Sequence, residues 1–216
     1  MVTDTTTIKR TRVKVCGMTQ ASEVCSLVAL GVDAIGMILH ADSPRLATLE
    51  QAKAIRDEVP AFVTLVGVFV DCDASKVIDY ANDISLDLVQ LHGDETNDYA
   101  NSLGIPYIKA IRAKSKDQVT KQLSDFWCAR GILLDPYVAN KHGGTGQQLA
   151  AESWPDKELV EKHKLILAGG LSTSNIVAAV NSFKPFAVDI NSGVEDSPGF
   201  KNIGEVAKCL QLLQGL

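Results

Sequence analysis

Eight short apolar runs, rich in β-branched residues, recur along the 216-residue chain: VKVC (13–16), AIGMIL (34–39), FVTLVGVFV (62–70), LDLVQLH (86–92), PYIKAI (106–111), GILLD (131–135), KLILAG (164–169) and FAVDIN (186–191). Several are nearly unbroken, the pattern of strands covered on both faces. Helical patterns occupy the intervals. Thr48 and Gln51 open TLEQAKAIRDEV as a capping box that Pro60 closes, and Ser115 and Gln118 open SKDQVTKQL in the same way. TQASEVCSLVALG predicts a helix from Thr19, with Val24, Leu27 and Val28 on one face and Gly31 as its stop. STSNIVAAVNSF and NIGEVAKCLQLLQ predict the last two helices, and TNDYANSLG a short polar one.

Eight strand–helix units predict an α/β protein with a single-domain (β/α)8 TIM barrel over residues 13–216, behind a flexible tail at 1–12. The rival arrangement is a doubly wound open sheet, but that commonly has five or six strands. The tail, MVTDTTTIKRTR, lacks the apolar core of a signal peptide, and no apolar run reaches the roughly 20 residues of a membrane helix. A net charge of −5 supplies no footprint for nucleic acid or an anionic membrane. Five cysteines, an odd number without a CxxC pair, point to a reducing, cytoplasmic setting. The four histidines show no metal-ligand spacing.

Active sites of such barrels lie at the C-terminal ends of the strands. Those positions are occupied by Cys16, His92, Asp135, Gly169–Gly170 and Asn191–Ser192–Gly193. Gly169, Gly170 and Gly193 let backbone approach a ligand closely, and the loops after strands seven and eight frequently bind phosphate. Asp135 reads as a helix cap or as a general acid beneath a flap carrying Gly143, Gly144 and Gly146. His92 either lines the pocket as a substrate-binding side chain or is a hydrogen-bonded structural histidine. Glu195 and Asp196 read as capping or solvating the last loop, and the other four cysteines as small core or surface residues.

The ordered set KVCGMT, DSPR (42–45), VQLHGDE (89–95), LLDPYVANKHGGTG (133–146), LAGGL (167–171) and VDINSGVEDSPGFKN (188–202) resembles the phosphoribosylanthranilate isomerase family of tryptophan biosynthesis. The resemblance implies a TIM barrel and an Amadori rearrangement without cofactor or metal. In that reaction N-(5-phosphoribosyl)anthranilate becomes 1-(2-carboxyphenylamino)-1-deoxyribulose 5-phosphate. It implies Cys16 as general base, Asp135 as general acid, Arg45 on the anthranilate carboxylate, and phosphate on Gly169, Gly170, Asn191, Ser192 and Gly193. The expected partner is a small phosphorylated substrate, neither nucleic acid nor membrane, with monomer and homodimer both open. A thiol of ordinary pKa about 8.5 needs help to ionise near pH 7. Lys14, two residues back on the same strand face, would favour the thiolate, while Asp189 could pair with Lys14 and offset it.

Two departures from the family pattern stand out. MILHA lacks the aromatic residue the family commonly places near Leu39, and QQLAAE follows Gly146 in place of a Phe-Asp-Trp segment. Two other readings compete: a histidine-pathway Amadori isomerase, which uses aspartate where Cys16 stands, and a barrel that binds a sugar phosphate without turning it over.

Overall fold

Each of the eight apolar runs forms a strand, and the strands close on themselves in chain order. They are β1 (Arg12–Val15), β2 (Ala34–His40), β3 (Thr64–Phe69), β4 (Leu88–Leu91), β5 (Tyr107–Ala113), β6 (Gly131–Pro136), β7 (Leu165–Leu167) and β8 (Ala187–Ile190), paired in parallel throughout. The computed structural model describes residues 10–136 and 148–216. Closure of β8 on β1 sets Lys14 opposite Asp189 and Val15 opposite Ile190. That register brings residues 175 positions apart into contact at the barrel mouth.

The helices are α1 (Val24–Ala29), α2 (Leu49–Glu58), α3 (Ala74–Ile84), α4 (Asn97–Ser102), α5 (Lys116–Asp125), α6 (Lys157–His163), α7 (Ile176–Phe183) and α8 (Ile203–Gln214). They bury apolar faces against the outside of the barrel, so the main core runs between strands and helices. Burying one Leu or Ile there contributes about 1.5–3 kcal/mol. Inside the barrel, residues such as Ile108, Leu133 and Ile166 form a separate small cluster. Side chains alternate across a strand, so residues two apart on β1, β4, β6 and β8 face the same way, and the interior turns polar towards the mouth.

Thr48 and Gln51 do form the reciprocal capping box: the Thr48 hydroxyl accepts from Gln51 N at 3.2 Å and Gln51 Oε1 accepts from Thr48 N at 2.9 Å. At α5 only half of the box is present, because Gln118 Oε1 accepts instead from Lys114 N. Helix α1 does not start at Thr19. The Thr19 hydroxyl donates to Gly199 O at 2.7 Å, and a single 3-10 turn at Ala21–Glu23 precedes the helix. Likewise α7 begins at Ile176, after a turn at Ser172–Asn175 in which Ser172 N donates to Asn175 Oδ1. The periodic pattern singled out neither α3 nor α6. It also missed a small antiparallel hairpin, β9 (Glu195–Ser197) with β10 (Phe200–Lys201), which folds over the end of β8. Arg10, placed in the predicted tail, pairs with Asp33 through both terminal guanidinium nitrogens, Nη1 and Nη2. No helix among the described residues is long and apolar enough to cross a membrane.

Candidate active site

Cys16 leaves β1 with its N–H on Ile190 O at 2.9 Å, which fixes the thiol at the junction of β1 and β8. Gly17 follows in a left-handed conformation (φ 74°), and a Cβ there would lie 2.7 Å from Asn191 Oδ1 and 2.8 Å from Arg45 Cδ. Only glycine lets the loop pass beneath those two side chains. Opposite on β2, a Cβ at Gly36 would meet Lys14 Cε at 2.8 Å and Cys16 Sγ at 2.9 Å. The missing side chain is what lets Lys14 fold under the thiol.

Lys14 Nζ donates to Asp189 Oδ2 at 2.8 Å, both side chains being buried. Burial works against the Lys14 ammonium, but Asp189 and the Cys16 sulfur outweigh it and raise its pKa above the ordinary lysine value. For Cys16, burial pushes the thiol up, Lys14 pulls it down, Asp189 pushes it up again and Lys201 pulls it down. The balance is a thiol above its ordinary value. Asp189 on β8 thus offsets the help from Lys14. A raised pKa leaves less thiolate at neutral pH, so activity that needs the thiolate should climb with pH on a limb above the ordinary thiol range. Lys14→Met removes a cation from Cys16 and is expected to move that limb to higher pH. A pH–kcat/KM profile checks it, and an unmoved limb would separate Lys14 from thiol ionisation.

Arg45 follows Ser43 and Pro44, its N–H donating to Ser43 Oγ at 3.1 Å. Its guanidinium is not solvated: Nε lies 2.9 Å and Nη2 2.7 Å from Glu195 Oε2. Lys201 Nζ donates to Glu195 Oε1 at 2.6 Å and to Asn191 Oδ1 at 2.8 Å. Glu195 is therefore an interior anchor, not a solvating residue of the last loop. Burial works against its carboxylate, but Arg45 and Lys201 outweigh it and hold its pKa below the usual range. Burial outweighs the pull of Glu195 and lowers the Lys201 pKa below the ordinary lysine value, while two acceptors within 2.8 Å still favour the ammonium form.

On the far side, Asp135 sits within β6, 6% exposed, and no backbone N–H among the described residues donates to its carboxylate. Its place inside a strand that runs on through Pro136 is not that of a helix cap. Asp135 Oδ2 stands 3.6 Å from His92 Nε2, and His92 Nδ1 is 2.9 Å from Gln90 Nε2. Gln90, 1% exposed in an otherwise apolar strand, escaped the sequence reading, although its place two residues before His92 assigns it the same face.

After β7, Gly169 and Gly170 both take left-handed conformations (φ 95° and 56°), and Gly170 O accepts from Asn175 Nδ2 at 2.8 Å. The chain leaving β8 makes a 3-10 turn at Ser192–Val194. A Cβ at Gly193 would lie 2.1 Å from Leu171 O, so this glycine seats the two loops against each other.

One cavity of about 220 Å³ at the barrel mouth is lined by Cys16, Arg45, His92, Asp135, Gly169, Gly170, Asn191 and Ser192. Gly193 lies behind that surface, packed on Leu171. Gln90 and Asp189 line it as well. A larger cleft of about 570 Å³, between the segment after β4 and α5, holds none of these groups. Convergent chemistry, not size, identifies the site. The segment with Gly143, Gly144 and Gly146 lies outside the described residues. Of the remaining cysteines, Cys72 and Cys209 are buried and Cys25 and Cys128 exposed, and all five are free.

Residues 13–212 match the family model described as N-(5'-phosphoribosyl)anthranilate (PRA) isomerase. A protein of that name from Pseudomonas fluorescens (strain SBW25) is 39% identical over 203 residues, covering 94% of this chain and 95% of its own. The crystal structure of phosphoribosyl anthranilate isomerase from Thermotoga maritima is similar with a TM-score of 0.85 at 32% identity, over 95% of this chain and 100% of that one. Another solved structure (TM-score 0.79, 31% identity, 95% and 100% covered) is of a phosphoribosyl anthranilate isomerase in complex with reduced 1-(o-carboxyphenylamino)-1-deoxyribulose 5-phosphate. Together with the closed eight-stranded barrel, these matches place the chain in the N-(5'-phosphoribosyl)anthranilate isomerase family.

Proposed function

We propose that this chain performs its family's isomerisation with Cys16 as general base and Asp135 as general acid, on N-(5-phosphoribosyl)anthranilate. The observation that carries the reading is their convergence: a buried thiol from β1 and a buried carboxyl from β6 face one cavity. The cavity also holds an arginine and two glycine-bearing loops. Backbone N–H groups around Gly170, Ser192 and Gly193 take the phosphate. Arg45, held along its Nε edge by Glu195, offers its remaining edge to the anthranilate carboxylate.

With both ends of the substrate fixed, the sugar lies between acid and base. Asp135 gives its proton to the ring oxygen, the C1–O bond breaks, and the nitrogen lone pair closes a protonated Schiff base. That cation favours the Cys16 thiolate at the step that needs it. The thiolate removes the C2 proton, the C–H electrons form a C1–C2 double bond, and the iminium π electrons return to nitrogen. The enolamine then takes a proton at C1 and loses one from the C2 hydroxyl. No electrons are gained or lost overall, so the proposed route needs no cofactor.

The histidine-pathway reading is weaker here, because the base position carries cysteine. The five free cysteines fit a reducing compartment, and we place the protein in the cytoplasm. Purified protein should convert the aminoaldose with loss of anthranilate-type fluorescence. Binding of the phosphorylated substrate without turnover would reduce the chain to a sugar-phosphate-binding barrel.

A further inference from the structure

We infer that Gln90 and His92 are positioning residues for Asp135, fixing an imidazole N–H to receive the carboxylate formed when the acid gives up its proton. The inference rests on the proposed acid role and deepens it. It also reassigns His92, which its place at the end of β4 offered as a substrate-binding or a structural histidine, to the acid.

The chemistry begins with the Gln90 amide. Its Nε2 lies 2.9 Å from His92 Nδ1. With the amide NH₂ turned to the ring it donates and Nδ1 accepts, and a neutral imidazole then carries its single proton on Nε2. Gln90 Oε1 is itself buried without a partner among the described residues, so the ring tautomer measured below also decides which way the amide is turned. Nε2 is buried, has no hydrogen-bond partner among the described residues, and faces Asp135 Oδ2 at 3.6 Å. That is too long for a hydrogen bond, and a shift of about half an ångström closes it. Catalytic contacts often tighten only when the reacting complex forms.

The ring is also held from behind. His92 N donates to Phe69 O at 2.8 Å. The next residue, Gly93, donates its N–H to both Glu95 oxygens at 3.1 and 3.0 Å, and its carbonyl accepts from buried Lys109 at 2.7 Å. Lys109 in turn pairs with Glu95 at 2.6 Å. A Cβ at Gly93 would meet Asp71 Oδ1 at 2.3 Å, so the turn is closely packed. His92 thus stands on a rigid platform, its inner nitrogen specified by Gln90 and its outer N–H aimed at the acid.

A donor that strengthens only as negative charge develops on Asp135 stabilises the transition state more than the bound substrate. Its loss therefore appears in kcat and leaves KM nearly unmoved. A substrate contact would show the opposite split.

The test joins spectroscopy to kinetics in the full-length protein. In ¹⁵N-labelled wild type, His92 should show a protonated Nε2 and an unprotonated Nδ1. His92→Leu should lower kcat on the cyclic substrate by about 10²-fold, in the range for removing one charge-stabilising donor, with KM within about twofold. His92→Gln, which keeps an N–H near the Nε2 position, should recover much of that loss. Gln90→Leu should lower kcat by about 3- to 10-fold alone and by nothing further in the His92→Leu background, because it acts through the ring. A wild-type ring protonated on Nδ1 would overturn the inference, as would a His92→Leu variant that raises KM at unchanged kcat. Failure of the wild type to turn over the aminoaldose would instead remove the proposed function. The ring tautomer is read without substrate, so the two failures are distinguishable.

Discussion

Cys16→Ala is expected to lower turnover of the cyclic aminoaldose by about 10²- to 10⁴-fold, the span of positioned proton transfer. That loss corresponds to about 2.7–5.4 kcal/mol of barrier. The substitution removes one sulfur at a position already 5% exposed and leaves Lys14 on Asp189, so the fold and the anion-binding groups should persist. Steady-state kinetics with the loss in kcat and little change in KM would mark a base. Alanine at 16 with near wild-type turnover would assign Cys16 to packing, and the Lys14–Asp189 pair to the stability of the β1–β8 seam alone.

Asp135→Asn is expected to cost a comparable factor on the cyclic substrate while leaving binding of a product analogue largely intact. Asparagine keeps the size of the side chain and much of its hydrogen bonding but delivers no proton. The cap interpretation, under which Asn and Asp would be nearly equivalent, does not suit a residue that lies inside β6. In the cavity its carboxylate faces His92 at 3.6 Å. Wild-type turnover in Asp135→Asn, measured on the cyclic substrate, would leave ring opening without its acid.

The sequence was most readable where local pattern and tertiary environment agree. Runs such as GILLD and FAVDIN are apolar because their residues are covered on both faces, and both became strands within a residue or two of the expected limits. Reading failed where a side chain serves a distant partner. Thr19 has the chemistry of a helix cap but spends its hydroxyl on Gly199, and α1 starts later as a result. Glu195 looked like a solvated charge because its partner Arg45 is 150 residues away. The hairpin of β9 and β10 is too short and too charged to show a period of two; Glu195 and Lys201 hold it through their ion pair. Among site residues, the strand-end positions Cys16, His92 and Asp135 followed from the barrel rule alone. What they touch did not: the Gln90–His92 contact and the Gly36 space beneath Lys14 exist only once the register of the closed barrel is set.

The division of labour between Cys16 and Asp135 is tested most directly by a substrate that arrives with its ring open. A 4-deoxy analogue cannot close the furanose and presents the Schiff base without help from an acid. On the cyclic substrate both Cys16→Ala and Asp135→Asn should be severely impaired. On the analogue, Asp135→Asn should recover to within about tenfold of wild type, whereas Cys16→Ala should stay down by about 10²-fold or more. Equal rescue of the two variants, or rescue of Cys16→Ala alone, would contradict the assignment of acid to β6 and base to β1.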